Sequence, residues 1–123
     1  MTLMPLRIPG GWLVVKNAFL DVSPEIVNGR ISPPGVFVQD ILSIERRIAG
    51  QPPPSDRHFI IDLGWYPDED PNGGFRLAVL LSNWDNVLKS IESRDREIIR
   101  STLERWLDIC GSPARLEAVV RKL

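Results

Sequence analysis

Two strand-like runs, residues 57–66 and 74–82, constrain the fold of this chain most strongly. The segment between them, PDEDPNGG, contains Asn72 and Gly73, which supply the positive φ angles of a tight turn. The runs therefore predict an antiparallel hairpin. Because strand side chains alternate between faces, the second run has a mixed face that predicts only partial cover. Its other face is apolar: Phe75, Leu77, Val79 and Leu81.

The N-terminal half predicts fewer regular elements. Residues 11–20 indicate a strand, whereas the many Pro, Gly, Asn and Ser residues of 21–35 indicate a loop. Residues 36–48 are ambiguous, because their apolar positions fit both strand and helix spacing. Their β-branched side chains and the short frame between prolines favour a strand. The segment QPPPSD, residues 51–56, predicts a stiff connection.

The C-terminal part predicts a long helix after a connector. Residues 83–92 indicate the connector, and residues 93–110 show the clearest helical spacing in the chain. Ser93 is the expected N-cap, and Gly111 is the expected residue at the C-terminal end. The apolar stripe of this helix is Ile99, Leu103, Trp106, Leu107 and Cys110.

A second, shorter helix is predicted over residues 112–123. Ser112 would cap it and Pro113 would occupy its first position. Strands that precede helices are typical of an α+β fold. We expect a single domain, residues 1–123, with an antiparallel sheet of about four strands packed by the long C-terminal helix and the short terminal helix. The inward face of the short helix would be Leu116, Val120 and Leu123.

Composition excludes several kinds of site. The 123 residues are 43% hydrophobic and 25% charged, which is typical of a globular domain. The single cysteine, Cys110, cannot form an internal disulfide, and one His with one Cys cannot make a Cys/His zinc site. Nucleotide-binding glycine motifs, a signal peptide and a membrane-length apolar run are all absent. We therefore expect a cytoplasmic protein with no metal, cofactor, membrane or nucleic-acid partner.

The net charge of −1 hides an uneven distribution. Residues 61–92 carry two basic and six acidic side chains, a balance of −4. Such a segment attracts a basic protein and repels phosphates. Aromatic residues stand beside these acids at strand ends, where they would either cap the core or form a binding hot spot. The predicted partner-binding residues are Trp65, Tyr66, Asp68, Glu69, Asp70, Trp84 and Asp85.

No nucleophile motif indicates catalysis, so we expect a protein that is not an enzyme. Two alternatives remain open. The first is a small enzyme that uses His58, the only histidine, with a carboxylate such as Asp56 or Asp62. Asp62 would share a strand face with His58. The second is a structural protein that oligomerises through the half-polar face of its sheet.

Four stretches of the chain resemble one family of small bacterial proteins: LRIPGGWLVVKNAFLDVSP, IDLGWYPDEDPNGGFRLAVL, NWDNVLKSIESRDREII and LERWL. The resemblance runs from Arg7 to about Leu107 and departs at Val87, where the family pattern has proline. Such proteins look like immunity proteins of polymorphic-toxin and contact-dependent growth inhibition systems. The resemblance implies a monomer that binds a cognate toxin C-terminal domain, expected to be a nuclease, and neutralises it by occluding its active site.

Overall fold

The structure is a computed structural model that describes residues 1–48 and 57–123. The described strands are β1 (Leu13–Asn17), β2 (Glu25–Val27), β3 (Arg30–Ser32), β4 (Leu42–Arg47), β5 (His58–Tyr66), β6 (Gly74–Leu81) and β7 (Asn83–Ser93). The described helices are α1 (Arg96–Cys110) and α2 (Leu116–Lys122). Strands β2 and β3 form a separate antiparallel hairpin, and the other five strands form one antiparallel sheet in the order β1-β4-β5-β6-β7.

Helix α1 covers one face of the five-stranded sheet. Leu42, Leu63 and Leu77 lie side by side on the three central strands, and Ile44, Ile61 and Val79 form a second such row. All of them are buried with the apolar stripe of α1 in one core cluster. The stripe is the one predicted from the sequence. The α+β prediction is therefore confirmed, although the sheet has five strands where about four were expected.

The prediction of a connector over 83–92 is wrong, because Asn83–Ser93 forms β7. This strand pairs with β6 on one side and is the edge of the sheet on the other. Most of its side chains are exposed. An edge strand needs little apolar alternation, so the pattern that identifies buried strands is missing here.

The prediction of an irregular loop over 21–35 is also corrected. Strands β2 and β3 pair across Asn28 and Gly29, which both adopt positive φ angles, 53° and 74°. An Asn-Gly pair between short apolar runs is the usual signal of a two-residue hairpin. The ambiguous stretch 36–48 contains a strand, β4, as favoured. The prediction for 51–56 lies outside the described residues.

The helix ends differ from the predicted caps. Asp95 rather than Ser93 caps α1, and its carboxylate accepts a hydrogen bond from the backbone N–H of Glu97 at 2.8 Å. Helix α2 begins at Leu116, later than predicted, and Arg115 precedes it without a side-chain cap. The Ser112 hydroxyl instead donates to the Ile109 carbonyl at the end of α1. The inward residue of α2 is Val119, whereas Val120 is exposed.

Candidate functional site

The side chains that alternate with the core-facing ones form the second face of the sheet, here called the open face. Its residues align in rows across the sheet, because the register places each one directly opposite a residue of the neighbouring strand. One row is Leu13, Glu45, Ile60, Leu80 and Val87. The next is Lys16, Ser43, Asp62, Ala78 and Ser90. A third contains Gly64, Arg76 and Glu92. In the described part of the chain, α1 lies on the opposite side of these rows.

An arginine and two aromatic rings occupy the middle of the open face. The Arg76 guanidinium carbon lies 6.0 Å from the centre of the Tyr66 ring and 5.5 Å from that of the Trp84 ring. Both distances are in the range of cation–π attraction. We call Tyr66, Arg76 and Trp84 the aromatic–arginine cluster. Its Trp84 side chain is 46% exposed.

Irregular pairing at the start of β7 brings Trp84 to the cluster. Leu81 pairs with Asn83, yet the preceding residue, Leu80, pairs with Val87. The residues between them bulge out of the ladder, which re-aims their side chains. Ser82, with a φ angle of 68°, makes the tight turn into this bulge. A residue far from Arg76 in the strand register can thus place its ring beside the guanidinium.

Asp62 lies at the centre of β5 on the same face, between Ser43 and Ala78 of the neighbouring strands. Burial raises the pKa of Asp62 to about 6; the negative charge of Asp40 adds to the increase, and Arg76 opposes it. The pKa of the Tyr66 phenol is also raised, by burial and then by the charge of Asp62. The open face therefore holds a carboxylate whose ionised form is poorly stabilised.

Charged neighbours of Asp62 already have other partners. Asp40 accepts a hydrogen bond from Lys16 at 3.0 Å. Arg76 lies against the rings of Tyr66 and Trp84. Within residues 1–48 and 57–123, no hydrogen bond or ion pair reaches the Asp62 side chain. Asp62 is thus a half-buried carboxylate that makes no hydrogen bond or ion pair within the described residues, and the charge of Arg76 offsets its burial only in part.

Trp65 lies on the opposite side of β5 from Tyr66 and is fully buried. Its ring packs against Phe37 and Phe75, with centroids 5.0 and 5.1 Å away. Its indole N–H donates to the Asp70 carbonyl at 2.9 Å. Trp65 therefore offers no surface to a partner protein. For this residue, the interpretation as a cap of the core describes the structure.

The acids of the β5–β6 loop bind backbone amides. The Asp68 carboxylate accepts from the N–H of Gln39 at 2.7 Å, and that of Glu69 accepts from the N–H of Gly35 at 2.5 Å. Asp70 accepts from Asn72, two residues along the loop, at 2.8 Å. The first two bonds hold residues 35–39 against the end of β5. Two of the three acids thus have a structural task that the sequence pattern did not indicate.

The acidic residues of segment 61–92 do not form one patch. The loop acids lie at one end of the hairpin, and Asp85 lies beyond the turn at the other end. The eight residues of β6 separate the two turns by about 25 Å. Asp62 and Glu92 lie between them on the open face. Of the predicted contact residues, the structure brings together Tyr66 and Trp84 and separates Asp85 from the loop acids.

Other candidate groups lie apart from this cluster. His58 shares the open face with Asp62, but four residues of strand separate them by about 13 Å. Asp56 lies outside the described residues. Cys110 is buried, and burial raises the pKa of its thiol to about 12, in agreement with its predicted place in the core.

Searches for two further features are negative. No group of three or more His, Cys, Asp or Glu side chains in the described residues could hold a metal ion. Neither α1 nor α2, the helices of the part of the chain described, has the length and apolar character needed to cross a membrane.

Sequence reasoning missed Arg76, and it named Asp62 only as a possible carboxylate partner of His58 and not as part of a binding face. Their signal is a charged side chain in the middle of an otherwise apolar strand, on the face that alternation assigns to solvent. Comparison of the chain with known protein families, with curated proteins and with solved structures finds no match.

Proposed function

We propose that this protein is a cytoplasmic immunity protein that binds the C-terminal domain of a cognate toxin and occludes its active site. The observation that supports this most is the aromatic–arginine cluster on a sheet face that α1 leaves uncovered. Tyrosine, tryptophan and arginine are the residue types that dominate binding energy at protein interfaces. The resemblance of four stretches of the chain to immunity proteins of toxin systems supports the class of partner.

The open face suits a protein partner better than a small ligand. It spans five strands, about 19 Å, and from Ile60 to Tyr66 along β5 about 20 Å. The outline of the face is therefore about 400 Å², but Ala78 and Leu80 within it are fully buried and the Gln39 backbone covers Gly64. A typical surface of about 800 Å² per partner would extend beyond this outline. Side chains fixed on strands lose little freedom on binding, which favours affinity.

A nuclease toxin is a suitable partner because it must present basic residues to phosphates. The acids of segment 61–92 extend along the hairpin from the β5–β6 loop to Asp85. Their negative field would steer such a domain toward the sheet, even though they do not form one patch. Blocking the nucleic-acid site requires coverage of the toxin surface and no chemistry by this chain.

The proposal is tested by expressing the C-terminal domain of a toxin gene found next to this one and measuring its binding. We expect a stable complex, measured by calorimetry, and protection of cells that express the toxin. The double variant Tyr66→Ala, Trp84→Ala should weaken binding by about 100-fold or more, since each is a candidate hot spot. Ile98→Ala is the matched control, because Ile98 is half exposed on α1, away from the open face. Full affinity in the double variant would show that the toxin binds elsewhere.

A further inference from the structure

We propose that the open face receives a lysine or arginine side chain of the partner protein at Asp62. This inference rests on the proposed function and adds the chemistry of the contact. It concerns a residue that lies apart from the acidic loop, in the middle of the sheet. Three observations support the inference. Asp62 lies at the centre of the open face, its carboxylate makes no hydrogen bond or ion pair within the described residues, and the nearby cations contact other groups.

Asp62 is one of four half-buried carboxylates in the described residues. Glu104 accepts two hydrogen bonds from Arg100, and Asp70 accepts one from a backbone N–H group. Within the described part of the chain, no such group reaches Asp62 or Glu45. Of these two, Asp62 lies on β5, the central strand of the sheet, so its free acceptor capacity is at the centre of the open face.

The cations near Asp62 are held by other groups. Lys16 pairs with Asp40, and the planar guanidinium of Arg76 lies against two aromatic rings. Moving Arg76 onto Asp62 would forfeit those ring contacts and their cation–π attraction. A cation that neutralises Asp62 must then come from outside the described chain.

Docking of a protein on the open face raises the free-energy cost of an ionised Asp62 that has no cation beside it. A partner that covers the open face removes water from Asp62, and a carboxylate without water or a partner is costly to keep ionised. A basic side chain placed there restores the charge balance, whereas an apolar one forces Asp62 to take up a proton. Asp62 therefore selects for basic partners and against apolar ones.

The first test compares Asp62→Asn with Glu117→Gln, a control that removes an exposed carboxylate on α2, outside the open face, in binding to the toxin domain. We expect Asp62→Asn to weaken binding roughly 10- to 100-fold at pH 7.5 and the control to change it less than threefold. Between pH 7.5 and pH 5, the wild-type affinity should fall about tenfold, because Asp62 becomes mostly protonated. The Asp62→Asn affinity should lack this fall. Equal affinities of Asp62→Asn and wild type would overturn the inference and leave the proposed function intact.

The second test needs no toxin. Acetyl-arginine amide is added to about 100 mM while the Asp62 side-chain carbonyl is followed by NMR at several pH values. We expect it to lower the titration midpoint of Asp62 and to shift the Trp84 indole signal. Acetyl-citrulline amide, its neutral counterpart, should do neither. An equal response to both amides overturns the inference. If the toxin fails to bind while only the arginine amide acts, the proposed function is wrong and the cation site stands.

Discussion

Trp65 and Tyr66 are consecutive aromatic residues of one strand, yet they belong to two different environments. Trp65 lies in the core against Phe37 and Phe75, and its N–H has a partner. Tyr66 lies on the open face beside Arg76. Their contrast holds for the two faces of the sheet as a whole. One face is packed by α1 and is apolar, whereas the other carries exposed charges and rings beside the buried side chains of Ala78 and Leu80.

The two faces also differ in how they treat charge. The core face consists of apolar side chains, and no polar or charged residue of the described chain is fully buried. The open face holds Asp62, Arg76 and Glu92 among apolar neighbours. A solvated face of an antiparallel sheet commonly carries such groups. Under the proposed function they also contact the partner, and substitutions on the two faces should separate stability from binding.

The largest expected difference is between two tryptophans, one on each face. Trp65→Ala should lower the free energy of unfolding by about 3–5 kcal/mol, because it removes a fully buried indole and leaves a cavity. Trp84→Ala should lower it by no more than about 1 kcal/mol, because that ring is half exposed. Urea denaturation measures both values. Similar losses in the two variants would contradict the division between the faces.

The backbone of residues 35–39 passes close to Gly64 on the open face, and the substitution Gly64→Ala tests this contact. A Cβ atom at Gly64 would lie 2.0 Å from the Gln39 carbonyl oxygen, which is backbone and cannot rotate away. Gly64→Ala should therefore destabilise the protein by about 2–3 kcal/mol. Gly74→Ala is the control, since the nearest atom there is 3.7 Å away. Thermal unfolding of both variants should show a clear loss for Gly64→Ala alone.

Asp62→Asn should stabilise the protein while it weakens binding. Because the folded-state pKa of about 6 exceeds the ordinary 3.8, the folded state binds more protons between these values. Stability therefore falls as pH rises from about 4 to 6, and the full cost is present above pH 6. Partial solvation screens this cost, so we expect a gain of about 1 kcal/mol at pH 7 for the variant. The gain should vanish near pH 4, and a loss of stability at pH 7 would contradict the prediction.

Arg76→Gln should produce the smallest change of the four, a shift in the pKa of Asp62. Arg76 lowers the pKa of Asp62 against the effects of burial and Asp40. Removal of the guanidinium should therefore raise that pKa above 6. NMR titration of the Asp62 carboxyl measures the shift, with Lys89→Gln on β7 as a control for loss of a positive charge. An unchanged or lower midpoint in Arg76→Gln would show that the two groups do not interact across the face.

The sequence predicts the parts of the fold that rest on repeated apolar spacing. The hairpin of β5 and β6 and the stripe of α1 are long runs that bury one face, so their periodicity is plain. Strand β7 lacks that periodicity because it is an edge strand with mostly exposed side chains. Strands β2 and β3 are three residues each, too short for a period, and only Asn28-Gly29 indicates them.

Only part of the candidate site could be predicted from the sequence. Tyr66 and Trp84 stand out as aromatic residues near turns, but their meeting across Arg76 depends on the bulge at the start of β7. Alternation in this strand, counted from Ile61 and Leu63 on the core face, places Trp65 inward and Tyr66 outward, a distinction that the prediction of both as contacts did not use. The hydrogen bonds from Gln39 and Gly35 to the loop acids join segments about 30 residues apart, which no local pattern reveals.

The irregular pairing of the outer strands bears on edge-to-edge association. An exposed edge strand can pair with a strand of another molecule and so extend the sheet into an aggregate. Bulges and charged side chains on an edge oppose such pairing. Strand β1 has a register shift between Val14 and Lys16, and β7 has one beside Lys89. Two of the three lysines in the chain therefore lie on the edge strands, where they hinder the docking of a foreign strand.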